Sequence, residues 1–321
     1  MLKRPLILAV VGPTASGKTE VAHEISKRLP TEMISCDSMQ VYKDMPILSQ
    51  APSPAIQKKL HAHLVCMLSP EEEYNAAFFR RDALKLIKSI HDHKKIPMIC
   101  GGTGLYLRML LDGLFDDEKP RDIDDAIRKK WYAIHEKEGV GTLHQALEKI
   151  DPAAAKKIHP NDARRLVRAL EVYELTGKPI SEKKTQRKGI RDQYDVRLFL
   201  LDRSRADLYD RINRRVDQMV EEGLLDEVQK LSRRKLSQTA SVALGMKEMK
   251  AFLNHETTLE NAIELLKRNT RHYAKRQLSW FRHETGVEVV SVDLKDTAAM
   301  IAERIVNSLP KEDLRKKKAK L

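Results

Sequence analysis

The chain has 321 residues, of which 41% are hydrophobic and 5% aromatic, and its formal net charge is +13. That apolar content supports one sizeable aliphatic core, or a core with a smaller second domain, and argues against a disordered chain. The positive charge points to a polyanion such as nucleic acid. The scattered cysteines, Cys36, Cys66 and Cys100, argue against a disulfide framework or a zinc knuckle and fit a reducing, cytoplasmic compartment.

In chain order, "PLILAVVG" is a continuous aliphatic run that suits a strand buried on both faces of a parallel sheet. It follows two basic residues but lacks a small-residue cleavage site, so it reads as a strand and not as a signal peptide. Helical periodicity follows in "KTEVAHEISKRL". "TEMISCD" is a second strand and "HLVCML" a short third. "NAAFFRRDALKLIKSIHDHKK" is a helix with Asn75 as its N-cap. "IPMICGGTG" is a strand running into glycines. From Phe115 to Tyr194 no strand is expected: "RDIDDAIRKKWYAIHEKEG", "GTLHQALEKI", "PAAAKKI" and "NDARRLVRALEVYELTG" all read as helices. The sheet resumes at "YDVRLFLLD". One long amphipathic helix, "RADLYDRINRRVDQMVEEGLLDEVQKL", comes next, and "VEVVSVD" is the last strand. No apolar run approaches the roughly 18 residues that span a bilayer.

Strands alternating with helices predict an α/β fold with a parallel sheet flanked by helices. The expected division is a catalytic core at 1–114 and 195–310, an all-helical insertion at 115–194, and a basic flexible tail at 311–321.

The chemistry begins with "GPTASGKT". Gly12, Pro13, Thr14, Ala15, Ser16, Gly17, Lys18 and Thr19 match G-x-x-x-x-G-K-[ST], a loop whose backbone N–H groups converge on phosphate. Lys18 is placed to reach the terminal phosphates, the Thr19 hydroxyl to ligate Mg²⁺, and the following helix to aim its positive end at the same anion. The loop alone implies a nucleoside-triphosphate enzyme with an acid at the end of an apolar strand. Asp37, Asp202 and Asp293 all stand in such positions. Asp37 lies in "DSMQVY", a setting that suits contact with a base or a hydroxyl as well as it suits a metal shell. Thr103, in "GGTG", falls at the carboxyl edge of the sheet, where open α/β folds bind ligands.

Taken together, "GPTASGKT", "ISCDSMQVYKDM", "IPMICGGTGLYLRMLLDGL", "NDARRLVRALEVYELTGKPISE", "RINRRVDQMVEEGLLDEV" and "TRHYAKRQLSWFR" resemble the bacterial tRNA dimethylallyltransferases. The matches run in order over nearly the whole chain. The resemblance implies a P-loop NTPase-like fold that holds the diphosphate of dimethylallyl diphosphate instead of ATP. It also implies transfer of the prenyl group to N6 of adenosine 37 beside the anticodon. By that resemblance Asp37 is the base, Thr103 orients the reacting nucleotide, and Lys18 and Arg215 stabilise the leaving group with Mg²⁺ at Thr19. Asp37, Ser38, Met39, Gln40 and Thr103 would touch the target nucleotide. Arg128, Arg164, Arg165 and Arg168 of the insertion would face the anticodon stem-loop, and Lys247, Lys275 and Arg276 are further RNA candidates. No membrane association is expected, and a monomer is.

Three stretches depart from the family pattern: "PILSQAPS" after "DSMQVYKDM", "HAHL" at His61 and His63, and "GMKE" at Gly245 to Glu248, with Met246 in place of a tyrosine. The competing readings are a P-loop small-molecule kinase using ATP, an adenylate isopentenyltransferase acting on free nucleotides, and a nucleic-acid-binding protein with a structural P-loop. The basic insertion is unexplained by the first two, and the polar strand ends by the third.

Overall fold

The computed structural model describes residues 4–113, 125–183 and 189–310. The expected tail at 311–321 lies outside them. The chain divides into two compact units, Met1–Leu111 with Arg191–Leu321, and Asp112–Ile190.

The first unit is built on five strands: β1 (Leu6–Val11), β2 (Thr31–Ser35), β3 (Ile96–Gly101), β4 (Asp195–Arg203) and β5 (Val287–Val292). They form one sheet in the order β2-β3-β1-β4-β5, and every pairing is parallel. All six residues of β1 are buried, as its unbroken aliphatic run requires of a central strand with both faces covered. The helix Lys18–Ser26 packs Val21, Ala22 and Ile25 into the core beneath the sheet, against Ile301, Ala302 and Ile305 of the helix Ala298–Ser308.

Register decides where the loops come together. Val11 pairs with Gly101 and with Leu200, and Ser35 pairs with Cys100. The carboxyl ends of β1, β2 and β3 are therefore level, and the segments that leave them share one edge.

Two expectations about elements are corrected. "HLVCML" is not a strand: it contributes only isolated bridges, Ile34 to His63 and Tyr42 to Leu68. Leu64 and Cys66 stand at φ 60° and 50°, in the left-handed region, which turns the chain out of an extended path. The long helix after β4 is two helices, Arg205–Glu221 and Leu224–Ser232. Gly223 separates them at φ 98°, a conformation that glycine adopts without a Cβ penalty.

The second unit is helical throughout its described elements: Asp125–Glu138, Thr142–Ile150, Pro152–Ala155, Ala163–Thr176 and Ile180–Lys183. Its own core gathers Leu143, Leu147, Leu166, Val167 and Leu170. Asp151 caps the short Pro152–Ala155 helix through the Ala154 N–H and also accepts from the Ser181 N–H.

Candidate active site

The loop after β1 is held by side chains, one of its own and two from distant segments, that occupy its carbonyls. Lys18 Nζ donates to Pro13 O at 2.7 Å, Arg211 Nε to Ala15 O at 2.8 Å and Arg203 Nε to Ser16 O at 2.8 Å. A trans peptide points its N–H opposite to its C=O. Each anchored carbonyl therefore fixes the direction of the next N–H, and the Ser16–Gly17 peptide turns the Gly17 N–H away from Arg203. Ala15 sits at φ 63°, a strained value for a residue with a Cβ, and persists because its neighbours over-determine it. Gly17 ends the loop at φ 93° and opens the helix that begins with Lys18. Ser16 Oγ is buried without a partner; an incoming phosphate oxygen is the kind of group that satisfies such an orphan.

The acceptor side is assembled from the ends of β2 and β3. Cys36 N donates to Cys100 O at 2.8 Å and Thr103 N donates to Cys36 O at 3.1 Å. Gly101 permits this approach, because a Cβ there would stand 2.2 Å from Cys36 O. Asp37 follows directly. Its Oδ1 accepts from the Met39 N–H at 2.9 Å, and Thr103 Oγ1 accepts from the Ser38 N–H at 3.0 Å.

Lys18, Asp37 and Arg215 act on one another electrostatically. Burial pushes the Asp37 carboxyl above the usual carboxylate range, while Lys18 and Arg215 pull against that shift. Burial lowers Lys18 as well, and Asp37 opposes it. Four sequence-predicted residues, Lys18, Asp37, Thr103 and Arg215, are thereby gathered at one edge of one unit. Asp202, a competing acid, is engaged by Arg282 at 2.7 Å.

The other predicted residues divide by environment. Gln40 is turned into the scaffold: its Oε1 accepts from Ser35 Oγ and its Nε2 donates to Gln50 O. Lys247, Lys275 and Arg276 are exposed, and the Arg276 guanidinium lies over the Tyr273 ring at 5.8 Å. In the helical unit, Arg128 and Arg168 both pair with Glu171, at 3.0 and 2.7 Å, and that carboxylate is fully buried. Arg165 pairs with Asp162 at 3.3 Å, and Arg164 is exposed.

The departing segments are also placed. Pro46–Ser49 is a short helix whose Ile47 and Leu48 N–H groups are both taken by Glu227. Gln50 Oε1 accepts from Thr14 Oγ1 at 3.1 Å, so "PILSQAPS" touches the phosphate loop itself. His63 pairs with Glu32 at 2.7 Å. Met246 is a core residue, 1% exposed.

The sequence reading missed Arg203, Arg211, Tyr273 and Gln277. Arg211 had a signal, since it stands four residues before Arg215 on one helix and so shares its face. Gln277 had one too. It is the amide in a stripe of buried positions, Leu266, Thr270, Ala274, Gln277 and Phe281, on the helix Leu259–Arg282.

Beside the loop lies a cavity of about 550 Å³ whose lining includes Ala15, Gln50, Arg211, Arg215, Pro46, Ile47 and Met219. Arg214, Glu20 and Glu222 also line it, and the three arginines beside Ile47 and Met219 suit an anion carrying a short apolar chain. Among the described residues no three His, Cys, Asp or Glu side chains are grouped to hold a metal by themselves. The hydroxyl of Thr19, next to Lys18 at the helix start, is a hard oxygen ligand of the type Mg²⁺ takes when it arrives bound to phosphate oxygens.

Comparison with known proteins places the chain beside one family. The family model for IPP transferase matches residues 40–284. A tRNA dimethylallyltransferase of Carboxydothermus hydrogenoformans is 44% identical over 301 residues, 94% of this chain and 96% of its own length. One of Natranaerobius thermophilus is 38% identical over 98% of this chain and 94% of its own. The crystal structure of the full-length tRNA isopentenylpyrophosphate transferase of Bacillus halodurans superposes with a TM-score of 0.67 at 40% identity, covering 97% of each chain. A eukaryotic dimethylallyltransferase solved acting on tRNA gives a TM-score of 0.80 at 29% identity, over 94% of this chain and 78% of that one.

Proposed function

The chain belongs to the IPP transferase family, and on that premise we propose that it transfers the dimethylallyl group of dimethylallyl diphosphate to N6 of adenosine 37 in the anticodon loop of tRNA, releasing diphosphate. The observation that carries the reading is the pairing at one sheet edge of an anchored phosphate loop with a carboxylate in the electrostatic reach of its lysine.

In this reading the lone pair of adenine N6 forms a bond to C1 of the allylic chain. The C1–O bond breaks, and its electron pair leaves with the diphosphate. The proton from N6 passes to the Asp37 carboxylate. An exocyclic amine is a weak nucleophile because its lone pair is delocalised into the ring. A carboxylate on its N–H restores electron density, and burial of Asp37 strengthens it as a base. Lys18, Arg215 and the loop N–H groups face the growing negative charge, which is the charge that differs between ground and transition state. Mg²⁺ held by the Thr19 hydroxyl and the diphosphate would neutralise the departing oxygens. Thr103, tied to the Ser38 backbone, orients the nucleotide beside Asp37.

The target base must leave the anticodon stack to reach such a crevice. Contacts to RNA phosphates then come from the helical unit, where exposed Arg164 is the best candidate, and from Lys275, Arg276 and Lys247. Among the described residues no helix is long and apolar enough to cross a membrane; we assign the protein to the cytoplasm, as a monomer.

The test is a product assay with dimethylallyl diphosphate, Mg²⁺ and an unmodified anticodon stem-loop bearing adenosines at 36 to 38. Digestion and mass analysis should give prenylated adenosine from position 37 with no ATP present. ATP hydrolysis without a prenylated product would overturn the reading.

A further inference from the structure

The phosphate loop and the acceptor turn belong to segments far apart in sequence, yet one side chain joins them. Gln277, 6% exposed, uses both ends of its amide. Its Oε1 accepts from the Thr14 N–H at 2.9 Å, and its Nε2 donates to Gly102 O at 2.9 Å. The two partners fix the amide orientation, since only oxygen can accept from the first and only nitrogen can donate to the second. Glutamate, leucine and methionine are near in size, and none offers both groups at neutral pH.

The neighbourhood is shaped around this amide. A Cβ on Gly102 would lie 2.3 Å from Gln277 Nε2, so the turn carries no side chain where the amide arrives. One helical turn earlier, the Tyr273 hydroxyl lies among the side chains of Thr103 and Gln277 and feels the Asp37 charge. A single face of the helix Leu259–Arg282 therefore touches Thr14 on the leaving-group side and Gly102 and Thr103 on the acceptor side.

We propose that Gln277 is a positioning residue that sets the separation between the diphosphate and the attacking N6. This rests on the prenyl-transfer reading above. Pro13, Ala15 and Ser16 are held independently by Lys18, Arg211 and Arg203, so the loop keeps its anion-binding form without the amide. What is lost is its distance from Thr103. Displacement of a reacting group by about 1 Å costs on the order of 100-fold in rate. The effect of Gln277 therefore falls on the chemical step and not on donor affinity.

The experiment measures single-turnover transfer to the anticodon stem-loop, together with equilibrium binding of dimethylallyl diphosphate, for wild type, Gln277→Leu and Gln277→Glu. Gln277→Leu should slow transfer about 10- to 100-fold while donor affinity stays within about threefold. Gln277→Glu keeps the acceptor for Thr14 and regains a donor for Gly102 only when protonated. Its rate relative to wild type should therefore rise as pH falls, a response that a space-filling role does not produce. Transfer within about twofold of wild type in Gln277→Leu overturns the proposal, as does a loss confined to donor binding. If Gln277→Leu does not fold, a flat pH ratio for Gln277→Glu overturns it by itself. A wild-type protein that makes no prenylated product fails the underlying reading instead, so the two failures are separate.

Discussion

Replacing Asp37 with asparagine isolates one property of the site. The asparagine side-chain oxygen can still accept from the Met39 N–H, so the turn that Asp37 closes at 2.9 Å is preserved. The ability to take a proton is removed. General-base catalysis contributes typically 10²- to 10⁴-fold, about 3–5.5 kcal/mol of barrier, and a drop of that size is expected in single-turnover transfer. Binding of tRNA should be equal or tighter, because a negative charge has left a surface that meets phosphate. The wild-type rate requires ionised Asp37. It should rise with pH through an acid limb above the ordinary aspartate value of about 3.9, since burial raises this carboxyl, and the limb should vanish in Asp37→Asn. Stability moves the other way. A carboxyl whose folded-state pKa is raised favours folding at low pH, and that contribution is lost as pH rises through the folded value. At neutral pH Asp37→Asn should therefore melt at or above the wild-type temperature. A variant that keeps turnover within tenfold and retains the acid limb would refute the assignment of Asp37 as base.

Gly101→Ala should destabilise the protein by about 1–3 kcal/mol or more in urea unfolding, because the new methyl meets the Cys36 backbone, which cannot move aside as a flexible side chain can. Arg164→Ala should weaken stem-loop binding a few-fold and reduce the salt-dependence slope by about one, with transfer at saturating RNA unchanged. Arg168→Ala should behave differently. It removes one of two partners from buried Glu171, so thermal melting should report lost stability in the helical unit.

The strands were legible wherever burial on both faces produced an unbroken aliphatic run, as in "LILAVV", because composition alone then fixes the environment. "HLVCML" has a similar composition and is not a strand. What separates the two is the backbone, left-handed at Leu64 and Cys66, and nothing in the residue types Leu and Cys signals it. Gly223 was readable in principle as a helix break but lay within a strong amphipathic period that continued on both sides. At the site, Lys18, Thr19, Asp37 and Thr103 were legible because motifs carry them. Arg203 was not, and Gln277 only by its place in a buried stripe, since their partners are backbone atoms of segments distant in sequence, and a sequence does not print which backbone atom a side chain will find.

The glycines around Thr103 show how such information is stored. Gly101, Gly102 and Gly104 read from sequence as a glycine turn at the end of a strand, yet none of them has a positive φ. Backbone freedom is therefore not the reason for them. A Cβ would stand 2.2 Å from Cys36 O at the first, 2.3 Å from Gln277 Nε2 at the second and 2.3 Å from Trp280 Cδ1 at the third. Each glycine admits a different neighbour: the end of β2, the amide that reaches the phosphate loop, and a ring that Arg108 covers at 4.3 Å. The turn that carries Thr103 thus has three close approaches to its glycines that only hydrogen atoms on Cα allow. The close packing of the acceptor turn therefore rests on these three glycines. Conserving the volume of this turn is then a condition for keeping Asp37 and the phosphate loop at a reactive distance.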